Sequence, residues 1–100
     1  MYNEIFKLKE LLEKGNIPFE FKNIYDGYQI IIKNKNNFRI ADAVEHNFSY
    51  GAEEDLLEIM GGLTEEEEEL NSVLGWLSSE EVFKRFKYCY ENNTKVYKEE

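Results

Sequence analysis

An α+β domain is what this chain predicts: a leading helix, a three-stranded antiparallel meander and two to three C-terminal helices packed on one sheet face. Three observations carry that expectation. Apolar residues recur at helical spacing near the amino terminus and again over the last third of the chain. Between them, alternation with a period of two surrounds an Asp26-Gly27 turn signal. Two Ser/Thr-x-x-Glu boxes, Thr64 with Glu67 and Ser78 with Glu81, mark helix starts in the second half.

Taken in order, Asn3 caps a first helix in which Ile5, Leu8, Leu11 and Leu12 share a face, and Lys14-Gly15 ends it with Gly15 in the left-handed turn. Pro18 then forces extension, and Phe19 and Phe21 alternate with Glu20 and Lys22 as in a half-buried strand near a sheet edge. After the Asp26-Gly27 hairpin, residues 28–33 return with Tyr28, Ile30 and Ile32 on one face and Gln29, Ile31 and Lys33 on the other. Residues 34–37 are a polar turn. Residues 38–46 form the third strand, with Phe38, Ile40, Asp42, Val44 and His46 facing one way. Residues 53–60 read as a short helix with Leu56, Leu57 and Met60 inward, stopped by Gly61-Gly62. Thr64 opens a second, very acidic helix, and residues 72–77 are an apolar connector without an assignable form. Ser78 opens a last helix with Val82, Phe83, Phe86, Cys89 and Tyr90 on one stripe. Residues 1–92 then make one domain, and residues 93–100 a frayed tail.

One hundred residues suffice for one modest core, and 42% hydrophobic residues with 15 aromatics are enough to fill it. Cys89 is alone, so no internal disulfide can form, and a reducing cytosol is the expected location. The amino terminus carries neither the basic start nor the apolar stretch of a signal peptide. No apolar run approaches the ~18 residues a membrane helix needs.

Charge is where this chain departs from the ordinary. No Lys or Arg occurs in the 44 residues between Arg39 and Lys84, which hold 13 acids. The rest of the chain has 8 acids against 12 bases, so the net charge of −9 is a −13 segment beside a +4 remainder. Such a surface repels nucleic acid and anionic membranes, and it attracts basic proteins. Helix starts near Glu53, Glu65 and Glu80 explain about half of the acids through the macrodipole. Like-charged pairs at i,i+4 spacing, Glu54 with Glu58 and Glu65 with Glu69, oppose helix formation and so call for a solubility reason or a partner. A nucleic-acid mimic is the sharpest version of the partner idea. It requires acids of several elements on one face, because five consecutive glutamates spread around their own helix.

Chemistry beyond charge is sparse. His46 is the only histidine and Cys89 lies on a core stripe, short of the three or four ligands zinc takes. The glutamate run lacks the spacing of an EF-hand loop, and no nucleotide-binding glycine pattern is present. No metal and no cofactor is expected. Asp42 and His46 fall on one strand face but ~13 Å apart, too far to share a hydrogen bond. An enzyme built on His46, Ser49 and Tyr50 is the weakest of the readings. Trp76, between Gly75 and Leu77, is either a core plug or an exposed anchor of the kind found at interface hot spots.

At His46-Asn-Phe-Ser-Tyr-Gly51, Leu56-Leu-Glu-Ile-Met-Gly61 and Ser72-Val-Leu-Gly-Trp-Leu77 with Glu81-Val-Phe83, the chain resembles a group of small proteins encoded in phages and prophages of low-GC Gram-positive bacteria. The resemblance covers residues 17–90. That group brings no active site to carry over. The resemblance implies a phage accessory protein, and such proteins include acidic inhibitors of host defence, anti-CRISPR proteins among them. The expected function is therefore binding to a basic surface of a bacterial protein, in concrete form a nucleic-acid-binding defence enzyme. Glu54, Glu58, Glu65, Glu66, Glu69 and Trp76 are the expected contact residues. The alternative is a structural or homodimeric accessory protein whose acids only solubilise it.

Overall fold

Five strands, rather than three, hydrogen-bond into one antiparallel sheet, and a helix from each end of the chain packs across it. The computed structural model describes residues 2–99. The elements run α1 (Glu4–Lys14), β1 (Glu20–Ile24), β2 (Gly27–Lys33), β3 (Arg39–Glu45), a 3-10 turn (Ala52–Glu54), β4 (Leu57–Met60), α2 (Glu65–Leu70), β5 (Val73–Leu77) and α3 (Ser79–Glu91). The strands pair in sequence order, so the sheet is a plain meander. The α+β class, the leading helix, the antiparallel sheet and the C-terminal helical packing on one face are as the sequence predicts. Among the described residues no helix is long and apolar enough to cross a membrane.

The core lies between that sheet face and the α1–α3 pair. Ile5, Leu8 and Leu12 come from α1, and Val82, Phe86 and Cys89 from α3. Beneath them, Ile30, Ala43 and Ile59 form one cross-strand row, flanked by Ile32, Ala41 and Leu57. Each fully buried large aliphatic here contributes about 1.5–3 kcal/mol. On β3 the inward set is Ala41, Ala43 and Glu45, with Asp42 and Val44 on the other face. Asp42 bonds Gln29 (2.9 Å) and Arg39 (3.2 Å), and Phe38 is exposed. A bulge where Lys33 pairs with Arg39 lets Ile40 join the core as well.

Several local expectations are corrected. Residues 53–60 are not a helix, because Leu57 and Ile59 are buried while Glu58 and Met60 point away, the two-residue period of a strand. The connector at 72–77 is β5, paired with β4 through a bulge. The first hairpin turns on Tyr25-Asp26 (φ 46° and 61°), with Gly27 already paired to Ile24. Gly27 is needed because a Cβ there would lie 2.1 Å from the Glu45 carbonyl oxygen. After α1 the left-handed residue is Asn16 (φ 58°) rather than Gly15 (φ −83°). The tail is docked as far as Tyr97: Gly62 donates to the Lys95 carbonyl (2.8 Å) and Tyr97 to that of Leu63 (2.9 Å). Tyr97 is buried against Tyr88 at 5.5 Å.

Candidate partner-binding surface

The 13 acids of the base-free segment divide by what they touch. Seven are engaged within the protein. The carboxylate of Asp55 accepts from the backbone N–H groups of Asn3 (2.7 Å) and Glu4 (3.2 Å), and that of Glu45 from Ile5 (3.1 Å). These two acids cap α1 from across the fold, where its positive end favours them. Asn3 occupies the N-cap position but makes no side-chain capping bond. Glu4 in turn accepts from Ser79 at the start of α3 (2.8 Å), tying the two helices together. Glu67 completes the capping box of α2 with Thr64 and also pairs with the buried Arg85 (2.7 Å). Glu81 holds the same guanidinium (2.8 Å). Asp42 bonds Gln29, Glu80 accepts from the Ser79 hydroxyl (3.2 Å), and Glu58 accepts from the Tyr50 N–H (2.8 Å).

These contacts set the titration of the group. Burial pushes Glu45 up to about 8, and the neighbouring Asp55 and Glu4 carboxylates add to the rise. Burial opposes ionisation of Asp55 too, but the neighbouring Glu45 carboxyl and the Glu4 and Asn3 N–H groups hold it below the usual range. Arg85 does the same for Glu67. About half of the acids are engaged within the fold, but they are not the ones a helix-start account selects: residues 53–60 hold no α-helix, Asp55 and Glu45 cap α1, and the others bond Thr64, Arg85, Gln29, Tyr50 and Ser79.

The remaining six, Glu53, Glu54, Glu65, Glu66, Glu68 and Glu69, are exposed and enter no ion pair among the described residues. They fall in two groups. Glu53 and Glu54 precede β4, at the end of the β4–β5 ladder where Leu57 pairs with Leu77. Glu65, Glu66, Glu68 and Glu69 belong to α2, which joins the other end, where Met60 pairs with Val73. Of the expected contact residues, Glu54, Glu58 and Trp76 therefore come together, and Glu65, Glu66 and Glu69 form a separate acidic group one ladder length away.

At the Glu54 end the surface is aromatic. Trp76 is 55% exposed and stacks on Tyr50, which is 51% exposed, at 5.5 Å and 15° between planes. Phe48 (76% exposed) and Tyr25 (67%) lie 5.9 Å apart, both beside His46. Trp76 is thus exposed and not a core plug. It sits in the β5 bulge at φ 58°, and Tyr25 in its turn at φ 46°. Bulky residues rarely adopt this backbone, which costs on the order of 1 kcal/mol each and is often found at functional surfaces. Gly75 makes the stack possible, because a Cβ there would lie 2.4 Å from that of Tyr50. Phe48, Tyr50 and Trp76, with Ser49, Glu53 and Glu54, line a cleft of about 320 Å³. The sequence reading passed over Phe48 and Tyr25. The available signal was their position in turns, where large aromatics have no core to enter.

Ser49 and His46 are occupied in shaping this loop. The Ser49 hydroxyl donates to the His46 carbonyl (2.9 Å) and accepts from the His46 N–H (3.0 Å). His46 Nδ1 accepts from the Phe48 N–H (3.0 Å). Tyr50 points away to Trp76, so the three side chains do not converge on one pocket. The Cys89 thiol is buried in the core, and burial pushes it up to about 11. Comparison with protein-family models, curated proteins and solved structures gives no match for this chain.

Proposed function

We propose that this protein works by binding, its exposed carboxylates and the Tyr50–Trp76 stack engaging a basic surface of a bacterial protein. The observation that carries the reading is the set of six exposed glutamates without an ion-pair partner among the described residues, grouped at the two ends of the β4–β5 ladder. A fold that needed charge only for solubility would intersperse both signs. Here every Lys and Arg is excluded from a 44-residue segment. The resemblance to phage and prophage proteins makes a nucleic-acid-binding defence enzyme in the host cytosol the concrete partner, since such an enzyme carries a basic surface. The two acidic groups act as separate contacts, since a ladder of about four residues, ~13 Å long, stands between them.

The test is charge reversal. Glu65→Lys, Glu66→Lys and Glu69→Lys together should leave the far-ultraviolet circular dichroism unchanged. The same variant should lose capture of the basic protein retained by the wild type. Unchanged capture sinks the reading. The exposed aromatic patch favours one other reading, a homodimer through Trp76, Tyr50 and Phe48; a dimer in sedimentation that high salt does not dissociate would establish it.

A further inference from the structure

We propose that the cleft lined by Phe48, Tyr50 and Trp76 receives an arginine side chain of the partner, its guanidinium against the ring faces and its charge met by Glu53 and Glu54. This rests on the binding reading above and gives it a chemistry.

The rest of the molecule shows what these rings lack. Lys9 lies 5.7 Å over Phe21, and Lys84 and Arg85 lie 5.9 and 5.0 Å from the Tyr97 ring. Two aromatic faces elsewhere, those of Phe21 and Tyr97, are thus supplied with a cation from the chain itself. Among the described residues none stands over Phe48, Tyr50 or Trp76, and the segment around them contains no Lys or Arg. Ring faces carry negative potential, and two carboxylates line the same cleft. The site is therefore complementary to a cation and repels an anion.

Shape and hydration narrow the choice. Tyr50 and Trp76 stack nearly parallel and stand at the cleft wall with Phe48. A planar guanidinium lies flat on such rings and bonds two carboxylates at once, and it gives up water more readily than an ammonium. A cleft of about 320 Å³ takes one long side chain and falls at the lower limit for a cofactor. A metal ion is a poor fit, because no group of three or more His, Cys, Asp or Glu side chains able to hold one exists among the described residues. An apolar side chain, or the same face of a second copy, would bury Glu53 and Glu54 without a counter-charge.

The cleft is also held in place. Glu58 fixes the Tyr50 backbone, the Ser49 hydroxyl closes the loop onto His46, and Gly75 admits the Tyr50 ring.

Trp76 is the only tryptophan, so its fluorescence reports on the cleft directly. The probe is the blocked tripeptide Gly-Arg-Gly, titrated at low salt beside its lysine and citrulline counterparts. The expected result is a saturable change with arginine, weaker binding with lysine, and none with neutral citrulline. Glu53→Gln with Glu54→Gln should weaken arginine binding roughly tenfold without altering circular dichroism. No saturable response to the arginine peptide, or an equal response to citrulline, overturns the proposal. Capture of a basic partner that is lost with the α2 charge reversal would then leave the binding reading standing and remove only the arginine cleft.

Discussion

Replacing Glu45 by glutamine should make the stability of this protein less dependent on pH in a way that can be calculated. Glu45 is fully buried; its Oε1 accepts from the Ile5 N–H, and its Oε2 has no hydrogen-bond partner. Asp55 and Glu4 are the charged groups that act on it, both acidic, and its pKa rises to about 8. In the unfolded chain the same group titrates near 4.5. Between those values the folded state holds a proton that the unfolded state has released. Stability therefore falls as pH rises, by about 1.4 kcal/mol for each pH unit. Glutamine keeps the carbonyl that accepts from Ile5 and carries no titrating proton. The variant should gain on the wild type by about 2 kcal/mol between pH 5.5 and pH 7.0. Urea denaturation of both proteins at the two pH values, at one ionic strength, measures this, and the titration of the other groups largely cancels in the difference. A stability difference that stays constant within about 0.5 kcal/mol would refute the reasoning, because it would mean that Glu45 ionises as readily folded as unfolded.

Arg85→Ala should destabilise the fold by about 1.5–3 kcal/mol in chemical denaturation, because it removes charge-assisted bonds to the half-exposed Glu67 and Glu81 and frees the Gly62 carbonyl. The depressed pKa values of Glu67 and Glu81 act in the opposite sense to Glu45: their contribution is present above the ordinary carboxylate range and is lost as pH falls through the folded values. The acid limb of unfolding should accordingly move to higher pH in Arg85→Ala. Cys89 should resist a thiol reagent at pH 8 in the folded protein and react at once in denaturant, since its thiol is buried and its pKa is about 11. Gly75→Ala should unstack Tyr50 from Trp76 and shift the tryptophan emission, while Trp76→Leu, which leaves Gly75 in place, should abolish arginine-peptide binding with little loss of stability.

The period of apolar residues made α1, the first hairpin and α3 legible; the Thr64–Glu67 capping box forms in full, whereas at Ser78 only the hydroxyl half forms, because the Glu81 carboxylate is held by Arg85 and Lys84. The strand β4 was misread because Leu56, Leu57 and Met60 also satisfy helical spacing, and the acids before them resemble a helix start. Four residues are too few to separate the two periods. β5 escaped because Gly75 and Trp76 form a bulge, which breaks the alternation that would have revealed it. The tail escaped because its anchors, the Gly62 N–H and the Leu63 carbonyl, are backbone groups with no side-chain signature. At the site, the excess of acid was visible in the sequence, whereas the exposure of Trp76 was not, since a connector between Gly75 and Leu77 fits a core plug equally well. Long-range capping by Glu45 and Asp55 was not visible either, since it depends on which strand ends lie under α1. The aromatic cleft likewise exists only because the Phe48–Tyr50 loop and the β5 bulge meet at one end of the sheet.

If exposed carboxylates carry binding to a basic partner, that binding must weaken with salt. A protein retained from lysate of a bacterium with a CRISPR nuclease would be purified, and its affinity for this protein measured from low to high salt. Affinity should fall steeply with salt, as exposed ion pairs are screened. The slope should be shallower for the Glu65→Lys, Glu66→Lys, Glu69→Lys variant. An affinity indifferent to salt, or the same slope in both proteins, would contradict binding through these carboxylates.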